Sequence, residues 1–333
     1  MAAPGAGASG EDALIARYFK PLATDPGAFD LVDDAAILKA TGEDLVVKTD
    51  AIVEGVHFLP DDPPDTVARK ALRVNLSDLA SKGATPAGFL LTLALRGADD
   101  AWLAPFARGL GEDAAQYGCP LLGGDTVSTP GPLMISIAAF GRVPSGRMVH
   151  RFGAQPGDRV VVTGTIGDAS LGLDILKGGA AAAALADDPG ARELLVGRYR
   201  VPQPRNALAY VIRDHASASM DVSDGLAGDL AKLCVASGVS AVIDGPSVPL
   251  SAPAAALVGR GTVGVGTLVS AGDDYEILCA VSENRFEAFA RAAGLAGVTV
   301  TPIGTVIAGK AAPKFLDAQG REVPLPRLSY SHF

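Results

Sequence analysis

The chain has 333 residues, of which 48% are hydrophobic, and its 37 acidic and 28 basic side chains give a net charge of −9. A chain of this length is too long to fold around one ordinary hydrophobic core, so we expect two globular domains. The negative charge disfavours binding to a nucleic-acid backbone or to an anionic membrane. A phosphate ligand would therefore need bound cations to hold it.

The sequence does not have the features of a membrane protein or a secreted protein. Apolar runs such as Phe89–Leu95 are far shorter than a bilayer crossing requires. Residues 1–12 lack the basic start and long apolar core of a signal peptide, and we interpret them as a flexible N-terminus. Three well-separated cysteines without CxxC spacing are typical of reduced core thiols: Cys119, Cys234 and Cys279. We therefore predict a cytoplasmic protein.

Hydrophobic periodicity predicts alternating helices and strands along the chain. The segment 144–157, which contains two arginines and a Pro-Gly-Asp turn, is predicted as the junction between domains 13–150 and 151–333. The predicted elements are a helix at 14–19, a strand ending at Asp50, a helix at 65–81, a strand at 89–95, a helix at 99–117, strands at 120–122, 133–143 and 159–163, a helix at 167–177, a helix after Asp224, and alternating strands and helices from 240 to 306.

Five aspartate motifs lie next to predicted apolar elements. The central one is Lys48-Thr49-Asp50, which puts a hydroxyl and a carboxylate side by side at a strand end. Carboxylates that are brought together repel one another and take up protons, unless a hard cation such as magnesium neutralises them. Magnesium and phosphate are therefore the predicted ligands. The other motifs are Asp33-Asp34, Asn75-Leu76-Ser77-Asp78, Gly123-Gly124-Asp125 and Asp221-Val222-Ser223-Asp224.

Asp78 continues an apolar stripe of the helix predicted at 65–81. The stripe consists of Val67, Ala71 and Val74, at helical spacing. A carboxylate on that stripe has to be paired, coordinated or placed at the edge of the core, because burial without a partner is very unfavourable. The structural alternative to a metal is an ion pair with Lys82, one turn further on.

Three other motifs also have purely structural explanations. Asp33-Asp34 is compatible with a solvated turn. The two glycines before Asp125 either let backbone amides approach a phosphate at a strand end or form an ordinary tight turn. Asp224 occupies the N-cap position of the following helix, although capping leaves Asp221 unexplained.

The common nucleotide-binding signatures are missing from the sequence. Gly259–Gly264 matches GxGxxG but follows a helical stretch, whereas the dinucleotide fingerprint requires a preceding strand. The sequence has neither a GxxxxGK[ST] loop nor an HRD-type catalytic loop, which excludes the two commonest kinase architectures.

Seven motifs, taken in order, resemble those of the thiamine-monophosphate kinase family, and the resemblance runs from about Ala13 to the final His332-Phe333. They are Asp33-Asp34-Ala35-Ala36, Lys48-Thr49-Asp50, Glu54-Gly55-Val56-His57-Phe58, Val74–Ala80, Gly123-Gly124-Asp125-Thr126, Met220–Leu226 and Gly272-Asp273-Asp274-Tyr275-Glu276. The family is similar in fold to aminoimidazole ribonucleotide synthetase and selenophosphate synthetase. The resemblance implies an N-terminal α/β domain that forms a homodimer through its strands, and a C-terminal α+β domain.

The same resemblance implies ATP-dependent phosphorylation of thiamine monophosphate, assisted by several magnesium ions and without a catalytic base. The acceptor phosphate has its second pKa at about 6, so it is already a dianion that attacks directly. The implied metal ligands are Asp34, Thr49, Asp50, Asp78, Asp125, Asp221 and Asp224. The implied ATP contacts are Gly124, Asp125, Arg151 and Ser223, and the implied contacts to thiamine monophosphate are His57, Asp273 and Tyr330.

Three positions depart from the family pattern. Lys48 replaces the usual Ser or Thr, Asp273 replaces the usual Glu, and Ala107 replaces a tyrosine of some members. Two alternatives stay open: a related ATP-dependent synthetase that phosphorylates a carbonyl or amide oxygen, and a non-catalytic nucleotide- or metal-binding regulator. The motifs around His57 and Tyr330 favour the kinase, and Lys48 is the feature that keeps the regulator open.

Overall fold

The computed structural model describes residue 29, residues 32–33, 36–39, 42–97 and 99–326, and residue 329, with the backbone alone for 36–39. Five of the predicted features lie outside these residues: the N-terminus at 1–12, the helix at 14–19, Asp34, Tyr330, and the ending His332-Phe333.

The first half of the chain forms a five-stranded sheet with helices packed on one face. It consists of strands β1 (Ala36–Lys39), β2 (Glu43–Val53), β3 (Thr85–Leu95), β4 (Leu121–Ser128) and β5 (Met134–Pro144), and helices α1 (Pro64–Ser81) and α2 (Asp100–Gln116). The strand order is β1-β2-β5-β3-β4, and of these neighbours only β3 and β4 run parallel. Helix α1 packs against the sheet, and α2 packs against α1.

The two faces of this sheet are covered differently. Val46 and Ile52 of β2 are buried on the face that packs against α1. Thr49, which points to the opposite face, is exposed. Leu90 and Val127 lie on that opposite face and are 40% and 43% exposed. Within the described residues, the second face is therefore largely uncovered.

The second half of the chain forms a six-stranded sheet. Its strands are β6 (Arg159–Thr163), β7 (Ala216–Val222), β8 (Val239–Asp244), β9 (Glu276–Val281), β10 (Val300–Ala308) and β11 (Lys314–Leu316), in the order β11-β8-β10-β6-β9-β7. Only the β8–β11 pair is parallel. The helices are α3 (Asp168–Leu176), α4 (Ala180–Ala184), α5 (Pro189–Arg200), α6 (Ala209–His215), α7 (Leu226–Ser237), α8 (Ala252–Gly259), α9 (Val265–Val269) and α10 (Glu283–Leu295).

Helix α1 lies between the two sheets. Its predicted apolar stripe is confirmed, because Val67, Ala71 and Val74 are each 2% exposed and Asp78 is 3% exposed. The helix also packs against β7 and β9 of the second sheet. Residues on α1 can therefore contact groups from both halves of the chain.

Strands β2 and β4 are longer than predicted. Strand β2 continues past Asp50 because its last residues still pair with β5, up to Val53 opposite Met134. Gly123-Gly124-Asp125-Thr126 lies inside β4 and pairs in parallel with β3. The placement of these glycines at a strand end or in a turn is therefore wrong.

In the part of the chain that the structure describes, no helix has both the length and the apolar character needed to cross a bilayer. Cys119, Cys234 and Cys279 are buried free thiols. The prediction that they are core residues is confirmed.

Candidate active site

Four charged side chains meet where the two sheets come together. The ammonium nitrogen of Lys48 lies 3.3 Å from Asp50 Oδ1 and 3.0 Å from Asp78 Oδ2. Burial disfavours the charged form of Lys48, but the charges of Asp50, Asp78 and Asp221 outweigh this and raise its pKa. The structure therefore brings together three predicted metal ligands, two from the first half of the chain and one from the second.

The two most buried carboxylates of this cluster are in an unfavourable environment. Burial raises the pKa of Asp78 well above its usual range, and Asp221 adds to the rise while Lys48 opposes it. Burial also raises the pKa of Asp221 to about 6, against the opposing effects of Lys48 and a hydrogen bond from Ser77. Asp221 Oδ2 is buried and has no hydrogen-bond partner among the described residues. Such a group favours binding of a cation.

Thr49 points away from the carboxylate cluster. Successive side chains of a strand point to opposite faces, so Lys48 and Asp50 share one face of β2 while the exposed Thr49 lies on the other. The prediction that the hydroxyl and the carboxylate lie side by side is therefore wrong. Lys48 takes that neighbouring position instead.

The side chain of Asp33 is fully buried and forms a structural ion pair. Its Oδ1 lies 2.8 Å from Lys82 Nζ, and its Oδ2 accepts a hydrogen bond from the backbone N–H of Arg151 at 3.0 Å. Burial acts to raise the pKa of Asp33, but Lys82 and His150 outweigh it and hold that pKa well below its usual range.

This ion pair corrects two predictions. Asp33 is not in a solvated turn, and Lys82 pairs with Asp33 instead of Asp78. Lys82 also donates to the carbonyl of Ser219 at 2.9 Å, which links α1 to β7.

The turn before α7 carries Ser223 and Asp224. The Asp224 carboxylate accepts a hydrogen bond from Lys232 Nζ at 2.6 Å, and the N-cap residue of α7 is Gly225. The buried Asp229 accepts from the backbone N–H groups of Ser223 and Asp224, both at 3.0 Å. The interpretation of Asp224 as the N-cap is therefore wrong.

Arg151 lies near the same turn. Burial disfavours the charged form of Lys232, but Asp229 and Asp224 outweigh this and raise its pKa, and Arg151 is close enough to oppose the rise. Arg151, Ser223 and Asp224 thus lie in one neighbourhood. Positive and negative groups alternate there, an arrangement that suits a polyphosphate with its metal ions.

Gly124 and Asp125 lie on the exposed edge strand β4, away from the carboxylate cluster. The register places four residues in one row across the sheet: Asp50, Ile137, Leu91 and Gly124. Because neighbouring strands are about 4.8 Å apart, Gly124 is about 14 Å from Asp50. Asp125 is exposed and points to the opposite face. One chain therefore does not bring Asp125 to the cluster.

His57 follows β2 and is oriented by hydrogen bonds with its surroundings. The backbone N–H of Val53 donates to His57 Nδ1 at 3.0 Å, so the neutral ring carries its proton on Nε2. The carbonyl of His57 accepts from Lys70 Nζ at 2.8 Å and from the Tyr199 hydroxyl at 3.3 Å. Lys70 Nζ also contacts Asp273 Oδ2 at 2.9 Å. One lysine thus joins the two predicted acceptor contacts that the structure describes.

Asp273 belongs to a strained loop, residues 272–275. The φ angles of Asp273 and Tyr275 are 74° and 50°, in the left-handed region that side chains disfavour. The backbone N–H of Asp273 donates to Ser223 O and that of Tyr275 to Val222 O, both at 2.8 Å. Strain of this kind is concentrated at functional sites, where the surrounding structure maintains it.

Tyr275 connects the acceptor pair with the carboxylate cluster. Its hydroxyl lies 3.4 Å from Asp273 Oδ1, and its carbonyl is 3.4 Å from the hydroxyl of Ser77 on α1. Burial raises the pKa of Tyr275, and the charges of Asp273, Asp50 and Asp221 add to the rise. The two groups of predicted site residues are therefore neighbours.

The carboxylate cluster fits magnesium in its chemistry. Asp50, Asp78 and Asp221 supply the oxygen ligands that this ion prefers, and Asp221 Oδ2 is a buried acceptor that receives no hydrogen bond from the described residues. Across the described ranges, no three acidic, histidine or cysteine side chains converge closely enough to form a complete metal site. Lys48 supplies the positive charge between two of the carboxylates.

Four residues that the sequence analysis did not single out also shape the site: Lys70, Tyr199, Asp229 and Lys232. Lys70 and Asp273 are 203 residues apart, so no local pattern predicts their contact. Asp229 and Lys232 are an i,i+3 pair of opposite charge, which helical spacing alone would have indicated.

Comparisons with known proteins agree with this architecture. The sequence matches the family model for the N-terminal domain of AIR synthase related proteins over residues 32–143, and the model for their C-terminal domain over residues 155–313. It is 45% identical to the thiamine-monophosphate kinase of Caulobacter vibrioides, over 99% of this chain and 93% of that protein. It is 39% identical to the thiamine-monophosphate kinase of Escherichia coli K12, over 98% and 99% of the two chains.

Two solved structures have the same fold. AaThiL complexed with AMPPCP and TMP matches with a TM-score of 0.78 at 29% identity, over 92% of this chain and 97% of that one. The thiamine-monophosphate kinase from Stenotrophomonas maltophilia K279a matches with a TM-score of 0.76 at 35% identity, over 95% and 98% of the two chains. The predicted fold class, an α/β domain followed by an α+β domain, is confirmed.

Proposed function

Because the chain belongs to the thiamine-monophosphate kinase family, we propose that it transfers the terminal phosphoryl group of ATP to thiamine monophosphate, with thiamine diphosphate and ADP as products. The observation that carries this proposal is the meeting of Asp50, Asp78 and Asp221 next to the His57–Asp273 pair. The first group suits cations that hold a polyphosphate. The second suits an acceptor that carries both a phosphate and a positive charge.

The residues of the chain position the reactants and do not take up a proton. The acceptor phosphate is a dianion above about pH 6, so its oxygen attacks without a general base. Magnesium, when bound, offsets the charge of the phosphates and fixes an in-line arrangement. The residues that would hold it are Asp34, Asp50, Asp78, Asp221 and Asp224, together with Asp125 of the partner subunit.

The nucleotide lies, in this proposal, against the turn before α7. Ser223 and Arg151 donate to the phosphates, and Arg151 is fixed near the turn by the hydrogen bond from its backbone N–H to the buried Asp33. In the dimer proposed below, Gly124 and Asp125 of β4 complete the ATP site of the partner subunit. Lys232 holds Asp224 in place through its 2.6 Å contact.

The acceptor lies against His57 and Asp273. His57 presents an Nε2–H donor to the acceptor phosphate, since its Nδ1 is occupied by the Val53 N–H. The Asp273 carboxylate, whose side chain is 26% exposed, supplies a counter-charge for the cationic thiazolium ring. Tyr330 supplies an aromatic face, where a cation–π contact contributes about 0.5–2 kcal/mol.

The protein acts as a homodimer in this proposal. The uncovered face of the first sheet carries apolar Leu90 and Val127, and every residue of β4 is exposed. A second copy packed on this face would bury both. Asp125 lies on that face, about 14 Å from its own Asp50, so we place it at the site of the partner subunit.

We also place the boundary between the two domains at 150/151 and the protein in the cytoplasm. Each domain then contains one sheet. The buried free thiols suit a reducing compartment.

The test is a coupled assay of ADP release with ATP, magnesium and different acceptors. ADP release that depends on thiamine monophosphate, with thiamine diphosphate as the product, supports the kinase. Release with a carbonyl or amide acceptor alone would favour a related synthetase. Binding of magnesium and ATP without any turnover would favour a non-catalytic regulator.

A further inference from the structure

Lys70 is a buried lysine that contacts three separate segments of the chain. It lies on α1 and is 1% exposed, which is rare for lysine unless it is paired. Its Nζ donates to the His57 carbonyl at 2.8 Å and to Asp273 Oδ2 at 2.9 Å. It also lies 3.9 Å from the ring centroid of Tyr199.

The contacts of Lys70 join the two domains at the acceptor site. His57 belongs to the first domain, whereas Asp273 and Tyr199 belong to the second. An ammonium has three N–H donors, and here they face a carbonyl, a carboxylate and an aromatic ring. The Tyr199 hydroxyl adds a contact to the His57 carbonyl at 3.3 Å.

We infer that Lys70 is a positioning residue that fixes His57 and Asp273 relative to each other and so determines the affinity for the acceptor. This inference rests on the proposed function, since it assigns those two residues to thiamine monophosphate. Lys70 acts through them and does not itself touch the substrate.

The charge of Lys70 has a second consequence for selectivity. Asp273 alone would repel the phosphate of an acceptor, because both are negative. Paired with Lys70 through Oδ2, Asp273 leaves its Oδ1 side next to Tyr275, at 3.4 Å from the hydroxyl. The pair therefore accommodates a ligand that contains both an anionic phosphate and a cationic ring.

Steady-state kinetics of Lys70→Met tests this inference. The expected result is a rise in KM for thiamine monophosphate of about tenfold or more, with the KM for ATP changed by less than about twofold. Asp273→Asn should also raise the acceptor KM. The double variant should show less than the sum of the two single effects, because the first substitution already breaks the pair.

Arg73→Met is the matched control. Arg73 is a buried cation on the same helix and also spans both domains, through Asp113 at 2.5 Å and the Pro202 carbonyl at 3.0 Å, but it contacts neither His57 nor Asp273. The Arg73→Met substitution should lower the unfolding temperature and leave the KM values for ATP and for thiamine monophosphate near those of the wild type.

Three outcomes would overturn the inference: equal changes in both KM values for Lys70→Met, additive effects in the double variant, or an Arg73→Met variant with the same acceptor defect. If Lys70→Met does not fold, Lys70→Gln keeps a donor for the His57 carbonyl and should raise the acceptor KM to an intermediate extent. An unchanged acceptor KM in that variant would likewise overturn it. Failure of the wild-type protein to use thiamine monophosphate would refute the proposed function instead.

Discussion

At the scale of single residues, the ammonium group of Lys48 provides a positive charge within the carboxylate cluster. Its ammonium contacts Asp50 and Asp78 and is near Asp221, so it already offsets part of their mutual repulsion. An ammonium is a point charge with three donors, whereas magnesium requires an octahedral set of oxygen ligands. A magnesium ion bound at this cluster would therefore compete with Lys48 for the same carboxylate oxygens.

We expect Lys48→Thr to bind magnesium several-fold more tightly than the wild type, because the competing charge is removed and the carboxylates become better cation ligands. Calorimetric titration with magnesium chloride, without nucleotide, measures this directly. Lys48→Arg keeps the charge and should bind magnesium about as the wild type does. Equal affinities of Lys48→Thr and the wild type would mean that Lys48 does not compete with the ion.

The sequence predicted that a residue has a special role where a charged side chain stands at a position expected to be buried. Asp78 on an apolar stripe demands a partner, and the structure supplies Lys48 and places Asp221 nearby. The partner itself was not predictable, since Lys82 is the local candidate and Lys48 becomes available only through the packing of α1 on β2. The contact of Lys70 with Asp273 depends on the packing of two domains and has no sequence signature.

Gly124 illustrates a constraint at the scale of an element. A Cβ atom at this position would lie 1.8 Å from the carbonyl oxygen of Leu91, because β4 pairs closely with β3 there. The glycine is therefore required for strand pairing, independently of any phosphate. At the neighbouring Gly123, a Cβ atom would lie 3.6 Å from the Leu90 side chain, an ordinary contact.

We expect Gly124→Ala to lower the free energy of unfolding by about 1–3 kcal/mol, since the backbone of β3 or β4 has to move to relieve the overlap. Gly123→Ala should change it by less than about 0.5 kcal/mol. Urea denaturation of the two variants, followed by circular dichroism, makes the comparison. Equal destabilisation would show that the β3–β4 spacing does not constrain Gly124.

The predictability of an element depended on where its stability comes from. Helix α1 and strand β6 were predicted almost to the residue, because α1 carries an apolar stripe at helical spacing and β6 is a continuous apolar run that is buried on both faces. Strand β4 was predicted only at its start, at 120–122, since an exposed strand with two glycines has no such pattern. Strand β4 is stabilised by pairing with β3. This pairing depends on the tertiary structure and is not predicted by the strand propensity of the residues.

At the scale of the whole molecule, a buried ion cluster in the second domain lies next to a contact between the two domains. Glu276 is fully buried and accepts hydrogen bonds from Arg198 at 2.5 Å, from Arg205 at 2.7 and 2.5 Å, and from Thr163 at 2.6 Å. The adjacent Tyr199 reaches the His57 carbonyl. The segment around the end of α5 therefore ties the second sheet to the turn that carries His57.

We expect Glu276→Gln to cost about 3–5 kcal/mol of stability at pH 7, because it removes the buried carboxylate charge that pairs with the largely buried guanidinium groups of Arg198 and Arg205. Burial opposes ionisation of Glu276, but Arg205 and Arg198 outweigh it and lower its pKa. Its contribution to stability is therefore fully present above the pKa of glutamate in the unfolded state, about 4.3. It is lost as the pH falls through the lower pKa of Glu276 in the folded state.

Urea denaturation of both proteins between pH 7 and pH 3 checks this sign. The stability difference between the wild type and Glu276→Gln should stay constant down to about pH 4.3 and shrink below it. The Glu276→Gln variant should still lose stability in acid, because the pKa of Asp33 is also lowered. A difference that stays constant to pH 3 would contradict the assignment.

Subunit mixing tests whether Asp125 serves the site of the partner subunit. Asp50→Asn and Asp125→Asn should each retain less than about a tenth of wild-type turnover as homodimers, a loss of at least 1.4 kcal/mol of transition-state stabilisation. In a mixed dimer with shared sites, one site receives both substitutions and the other receives neither. Random mixing makes about half of the dimers mixed, so about a quarter of wild-type activity should return. If Asp125 served its own subunit, every site of the mixed dimer would carry one substitution and no activity would return; separately purified variants that are never exchanged provide the baseline.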